Sequence, residues 1–250
     1  MFSRILLVLL LFFSIRPTYS QDKILIAAAS DLKFAMDSLI IVFKKTNHGQ
    51  VDVTYGSSGK FYEQIVNGAP FDIFFSADIS YPTQLKKAGL TSSEVFAYGK
   101  GRIVLWSKTL DPSKKGMQTL LDPSISKIAI GNPMHAPYGK RAEEAITYYK
   151  LSVATKSKLV YGENISQTAQ FVSTGAADIG IIALSLALSP NMQTPQAKYY
   201  LIPEESHQPL IQGAVVTLHG KGNKLPEAFL AFMKGQRANA VLQYFGFTKP

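Results

Sequence analysis

Ser30 and the pair Ser57-Ser58 each stand where a strand-like run gives way to a helical pattern. At such hand-over points a backbone can bind an anion without any charged side chain. The first turn of a helix presents N–H groups with no carbonyl partner, and it carries a partial positive charge. A small anion can take those donors, and a serine hydroxyl adds one more. Gly56 and Gly59 bracket the second pair and let the backbone come close. Each serine alone also reads as an ordinary N-cap, and that reading stays open beside the functional one. Two later helix starts, Pro137-Tyr138-Gly139 and Glu163-Asn164-Ile165, offer matching N–H groups. They also read more simply, as a Pro-initiated helix and an Asn cap.

Catalytic readings find less support. No serine sits in a Gly-x-Ser-x-Gly elbow, and Gly59-Lys60 is followed by Phe61, so no phosphate-binding loop is complete. An ester hydrolase using Ser58 as nucleophile would need a base, and nothing beside Ser58 reads as one. The four histidines, His48, His135, His207 and His219, lack metal-ligand spacing. Only His135 lies beside a candidate site, where it orients the loop. Tyr199-Tyr200 suggests a ferric site, but neighbours in a strand face opposite ways, which favours one core and one surface residue. The chain therefore reads as a binding protein, with no enzyme activity and no cofactor.

The elements that must position these residues alternate. Strands are expected at Lys23–Ala29, Val51–Tyr55 and Asp72–Ser76, and helices at Leu32–Lys45, Lys60–Asn67 and Ser80–Ala88. That order predicts a parallel sheet covered by helices on both faces. Further strands are expected at 102–106, 127–131, 159–161, 178–183, 199–202 and 214–218. Helices are expected at 119–121, 140–149, 164–174, 225–234 and 238–244. No glycine-serine linker divides the chain. Two lobes would therefore be joined by continuous strands, with Ile103–Leu105 and Ala214–Leu218 as the candidates. This assigns residues 21–103 and 215–250 to a first lobe and 104–214 to an inserted second lobe, with a hinged cleft between them.

Residues 1–20 read as a secretory signal peptide: a basic start, an apolar run from Ile5 to Ile15, and small residues before a cut after Ser20. The run is too short for the ~20 residues of a spanning helix. There is no cysteine among the 250 residues, so neither a disulfide framework nor a lipid-bearing Cys is expected. The mature chain is expected free in the periplasm. The net charge of +9 is carried by single or paired basic residues, with no run or stripe suited to nucleic acid. A diffuse positive field does speed the encounter with a small anion.

Taken in order, Ala27-Ala28-Ala29-Ser30, Gly56-Ser57-Ser58-Gly59, Gly68-Ala69-Pro70-Phe71-Asp72, Gly131-Asn132-Pro133, His135-Ala136-Pro137-Tyr138-Gly139 and Glu163-Asn164-Ile165 form a pattern. No one of them is specific, but their order and spacing are. The chain resembles the periplasmic molybdate-binding proteins of ABC-type uptake systems, from about Lys23 to Phe247. The resemblance implies a type II periplasmic solute-binding fold, with two α/β lobes joined by two crossover strands. It implies a monomer that holds molybdate or tungstate with neutral donors and delivers it to a membrane permease. By position, Ser30 and Ser58 would each give a hydroxyl and an N–H, and Tyr138 and Ile165 would give N–H groups. Where some members use a tyrosine hydroxyl this chain has Ala183, which cannot donate one, so a backbone N–H or Ser185 is expected to substitute. Asp31 departs from the apolar residue common in the family. Its carboxylate is expected to turn from the ligand or to bind a nearby N–H. Sulfate, phosphate and ferric ion remain rival ligands.

Overall fold

The computed structural model describes residues 23–250; the expected signal peptide lies outside the described residues. Ten strands form two five-stranded sheets. They are β1 (Lys23–Ala29), β2 (Gln50–Gly56), β3 (Ile73–Ser76), β4 (Phe96–Gly101), β5 (Ile103–Ser107), β6 (Ile128–Gly131), β7 (Leu159–Gly162), β8 (Ile179–Ala183), β9 (Lys198–Leu201) and β10 (Leu210–Val216). The first sheet runs β2-β1-β3-β10-β4 and the second β7-β6-β8-β5-β9. The helices are α1 (Lys33–Phe43), α2 (Ser58–Val66), α3 (Ser80–Lys87), α4 (Pro137–Tyr148), α5 (Ser152–Thr155), α6 (Ile165–Thr174), α7 (Leu184–Ala187), α8 (Lys224–Met233) and α9 (Gln236–Tyr244).

The two-residue period of a strand explains why helices cover both faces of the first sheet. Ile24, Ile26 and Ala28 of β1, with Ile73 and Phe75 of β3, pack under α1, α8 and α9. Ala27 and Phe74 point the other way, onto Phe61, Ile65 and Leu85 of α2 and α3. A separate core built on Ile103–Trp106, Ile128–Ile130 and Ile179–Ala183 holds the second sheet. In both sheets the middle strands are parallel, with β1 beside β2 and β3, and β6 beside β7 and β8. Their carboxyl ends carry the helix starts that matter below.

The crossings between sheets differ from expectation. Ile103–Leu105 does not cross; it lies within the second sheet, paired with β8 and β9. Ala214–Val216 lies within the first sheet, paired with β3 and β4. The outward crossing is Arg102 alone, between β4 and β5, and the return runs through residues 202–209. Residues 210–214, expected in the second lobe, belong to the first sheet. Gln212 hid this strand start, because a polar residue interrupts the apolar run. It is fully buried, and its amide oxygen accepts the Tyr98 hydroxyl at 2.6 Å. The strand β4 was not expected at all. Glu204 ties the two crossings together, meeting Lys100 Nζ at 2.8 Å and Arg102 at 3.0 Å. Those two cations hold its carboxyl below the usual range.

Candidate anion-binding site

Four chain segments converge between the sheets, each just beyond the carboxyl end of a parallel strand, where open α/β sheets bind ligands. After β1 the chain enters a single 3-10 turn, Ser30–Leu32, before α1. After β2, Ser57 caps α2 by accepting the Lys60 N–H at 3.4 Å, so Ser58 is the first helical residue. Opposite them, after β6, α4 opens at Pro137, three residues before the expected start. After β7, Asn164 caps α6 by accepting the Gln167 N–H at 3.0 Å, which puts Ile165 first in its helix. The first-turn N–H groups of Ser58, Tyr138 and Ile165 have no acceptor within their own helices.

Ser30, Ser58, Tyr138 and Ile165 line one cavity of about 10 Å³, walled also by Ala29, Ala77 and Ala136. That is below the ~300–1,000 Å³ typical of organic ligands. No lysine or arginine is among the lining residues; Asp31 is the one charged type. A larger groove nearby shares Ser30 and reaches Asn164, Ser166 and Gln167 at the start of α6, but Ser58, Tyr138 and Ile165 do not line it.

The two serines are held differently. Ser58 Oγ accepts the Ala77 N–H at 3.0 Å, which fixes the oxygen and leaves its proton to donate. Ser30 does not cap the helix that follows it, contrary to expectation. Its Oγ donates to Asn164 Oδ1 at 3.1 Å and accepts the Ser166 N–H at 3.2 Å. Its hydroxyl proton is thus directed across the cleft, and it must rotate to meet an anion.

Ala183 and Ser185, expected to replace the missing tyrosine, are not among the residues lining the cavity. Ala183 is fully buried at the end of β8, paired with Ile103. Ser185 donates its hydroxyl to the Asp31 carbonyl at 2.8 Å. Asp31 itself is buried, and its Oδ2 accepts both the Tyr138 hydroxyl at 3.0 Å and the Gln212 amide at 2.8 Å. Burial pushes its pKa up to about 7, against the opposing pull of the Gln212 and Tyr138 hydrogen bonds. Burial and the Asp31 charge push the Tyr138 and Tyr98 hydroxyls upward in turn.

The two sheets are in close contact around the cavity. The Gly59 N–H donates to the His135 carbonyl at 2.9 Å. Ser57 Oγ lies 2.9 Å from His135 Nδ1 and donates to the His135 carbonyl at 3.0 Å. At the rim Lys60 pairs with Glu163, and Arg141 stands 3.7 Å from Asp78. This is a closed arrangement. The residues not anticipated as part of it are Gln212, Tyr98, Ser166 and Ala77. Only Gln212 left a trace in the sequence, as a polar residue inside an apolar strand.

A site made of convergent helix starts between two α/β sheets defines a solute-binding protein, and the comparisons agree. The model for the bacterial extracellular solute-binding protein family matches residues 24–248, and the chain belongs to that family. A molybdate-binding protein ModA from Azotobacter vinelandii is 34% identical over 223 residues, covering 89% of this chain and 88% of the relative. One from Rhodobacter capsulatus is 32% identical over 235 residues, covering 92% and 90%. The structure of the Azotobacter vinelandii periplasmic molybdate-binding protein superposes with a TM-score of 0.84 at 31% identity, over 91% of this chain and 99% of that one. A sulfate-binding protein, SubI from Mycobacterium tuberculosis, shares the fold at 16% identity with a TM-score of 0.72. The type II fold with two α/β lobes is thus the architecture of this chain.

Proposed function

We propose that the protein captures molybdate or tungstate outside the cytoplasm and delivers it to an ABC-type permease, acting as a monomer without catalysis. The observation that carries this reading is the small cavity, whose donors are helix N–H groups and serine hydroxyls rather than cations. The first lobe comprises β1–β4 with β10 and the C-terminal helices, and the second comprises β5–β9. The anion docks on the Ser30 and Ser58 side, and the second lobe brings Tyr138 and Ile165 over it. Closure removes water, so each neutral donor counts for more. Relatives named for molybdate binding support the choice of anion. No helix among the described residues is long and apolar enough to cross a membrane.

Size separates the candidate anions, because metal–oxygen bonds are longer than those of sulfate. Calorimetry with molybdate, tungstate, sulfate and phosphate tests the assignment. Molybdate and tungstate are expected to bind alike. Sulfate or phosphate binding within about tenfold of molybdate, ~1.4 kcal/mol, would overturn it. Ser58→Ala is expected to weaken molybdate binding by about ten- to a hundredfold, since it removes a donor to a charged ligand. Unchanged affinity in that variant would remove Ser58 from the site.

A further inference from the structure

Asp31 is gripped from the opposite lobe at two atoms. Tyr138, on α4, donates its hydroxyl to the carboxylate at 3.0 Å, and Ser185, on α7, donates to the backbone carbonyl at 2.8 Å. The carboxylate is also held within its own lobe. Gln212 Nε2 lies 2.8 Å from Oδ2 and 3.0 Å from the Tyr138 oxygen, and the Tyr98 hydroxyl holds the other end of that amide at 2.6 Å. All four side chains in this relay, Tyr98, Gln212, Asp31 and Tyr138, are buried. Room for it is reserved at Gly101, where a Cβ would stand 2.2 Å from the Tyr138 oxygen and 2.6 Å from Gln212 Nε2.

We propose that Tyr138, Asp31 and Gln212 form a latch that holds α4 over the cavity, so that affinity for the oxyanion depends on a side-chain contact that does not touch the anion. Tyr138 then has two separate jobs: its backbone N–H faces the ligand and its hydroxyl closes the lobe. Asp31 and Gln212 are positioning residues that act through Tyr138. The inference rests on the oxyanion reading above and adds to it a determinant of closure.

The latch carries a pH signature that packing alone would not give. Closure buries the Asp31 carboxyl and lifts its pKa to about 7. In the open form, water reaches it and it titrates in the ordinary carboxylate range. Closure therefore takes up a proton between those two values. Affinity falls as pH rises across that window and levels off above it. A bound dianion, which also favours the neutral acid, extends the window upward. The titratable groups facing Asp31 are Tyr138 from α4 and Tyr98 from β4, with Gln212 from β10 and Ser185 from α7 as neutral partners. Helix α1 also packs against this turn, and its Lys33 and Asp37 are exposed. Helix α6 packs there too and contains no titratable side chain.

Stopped-flow binding of molybdate to the wild-type protein, Tyr138→Phe and Asp31→Asn tests the latch. Tyr138→Phe is expected to dissociate roughly ten- to a hundredfold faster, with association changed less than about twofold, because the latch forms after docking. Asp31→Asn keeps an oxygen that accepts the same two bonds. It is expected to bind tightly and to lose most of the decline in affinity seen in the wild type from about pH 5 to about pH 7. His135, which also spans the cleft, is present in both proteins and cancels in the difference. Wild-type dissociation in Tyr138→Phe would overturn the latch, as would an undiminished pH profile in Asp31→Asn. If neither variant folds, a flat wild-type profile overturns the latch, and a fall that persists in His135→Asn supports it. A wild type that binds none of molybdate, tungstate, sulfate and phosphate overturns the oxyanion reading and the latch with it. Anion binding indifferent to Tyr138 and to pH overturns the latch only.

Discussion

Gly59→Ala is expected to weaken molybdate binding by about a hundredfold or more, roughly 3 kcal/mol, while the unliganded protein stays as stable as the wild type. Gly59 is the second residue of α2, and its N–H donates to the His135 carbonyl on the other lobe at 2.9 Å. A Cβ there would stand 2.8 Å from the His135 oxygen and 2.9 Å from its Cα. Both are backbone atoms and cannot swing aside as a side-chain tip would. The relief available is to part the lobes, which on the proposed reading withdraws the Tyr138 and Ile165 N–H groups from the anion. Within α2 itself alanine is the better helix former by ~1 kcal/mol, so nothing local opposes the change. Calorimetry gives the affinity, and small-angle scattering shows whether ligand still compacts the variant. Wild-type affinity in Gly59→Ala would mean that the lobes do not approach here when the anion is held.

Gly139→Ala is expected to fail in the opposite way, through stability. A Cβ on Gly139 would lie 2.0 Å from the Gly131 carbonyl oxygen and 2.4 Å from its carbon. Both residues belong to the second lobe, where the first turn of α4 sits directly on the end of β6. Opening the cleft does not relieve that clash. Helix or strand must move, and the packing of Ala142 and Ile146 against Ile128 and Ile130 moves with it. Overpacking and strain of this kind cost about 3 kcal/mol or more, which corresponds to a fall in melting temperature of roughly 10 °C. Thermal unfolding without ligand measures it, and an unchanged midpoint would show that α4 can lift off β6 freely. The two glycines thus separate the inter-lobe contact from the intra-lobe one.

Local pattern carried the strand-to-helix hand-overs, because both partners in each lie within a few residues. Ala29-Ser30, Ser57-Ser58 and Asn164-Ile165 were legible in this way, and so were the apolar strands that precede them. Ser30, Ser58, Tyr138 and Ile165 meet at one cavity because the parallel strands before them all end on the same side. What was not legible was set by distance along the chain. The Gln212–Asp31 bond joins residues 181 positions apart, and the Tyr138–Asp31 bond joins residues 107 apart. No periodicity encodes such pairs. The misplaced crossings have the same origin, since a strand's membership of one sheet or the other depends on its neighbours and not on its own alternation. Ser185 was proposed for the anion because it lies near the right strand end, yet its hydroxyl is committed to the Asp31 carbonyl.

Glu204 lies on the return crossing and binds Lys100 and Arg102, which flank and form the outward one. Arg102 also donates to the Ile202 carbonyl at 3.2 Å. The two tethers are therefore fastened side by side, like a pair of pins in one knuckle. Sliding and twisting would shear these bonds, whereas swinging leaves them intact. The two tethers thus share one anchoring point, and a swing of one sheet against the other about it keeps them side by side.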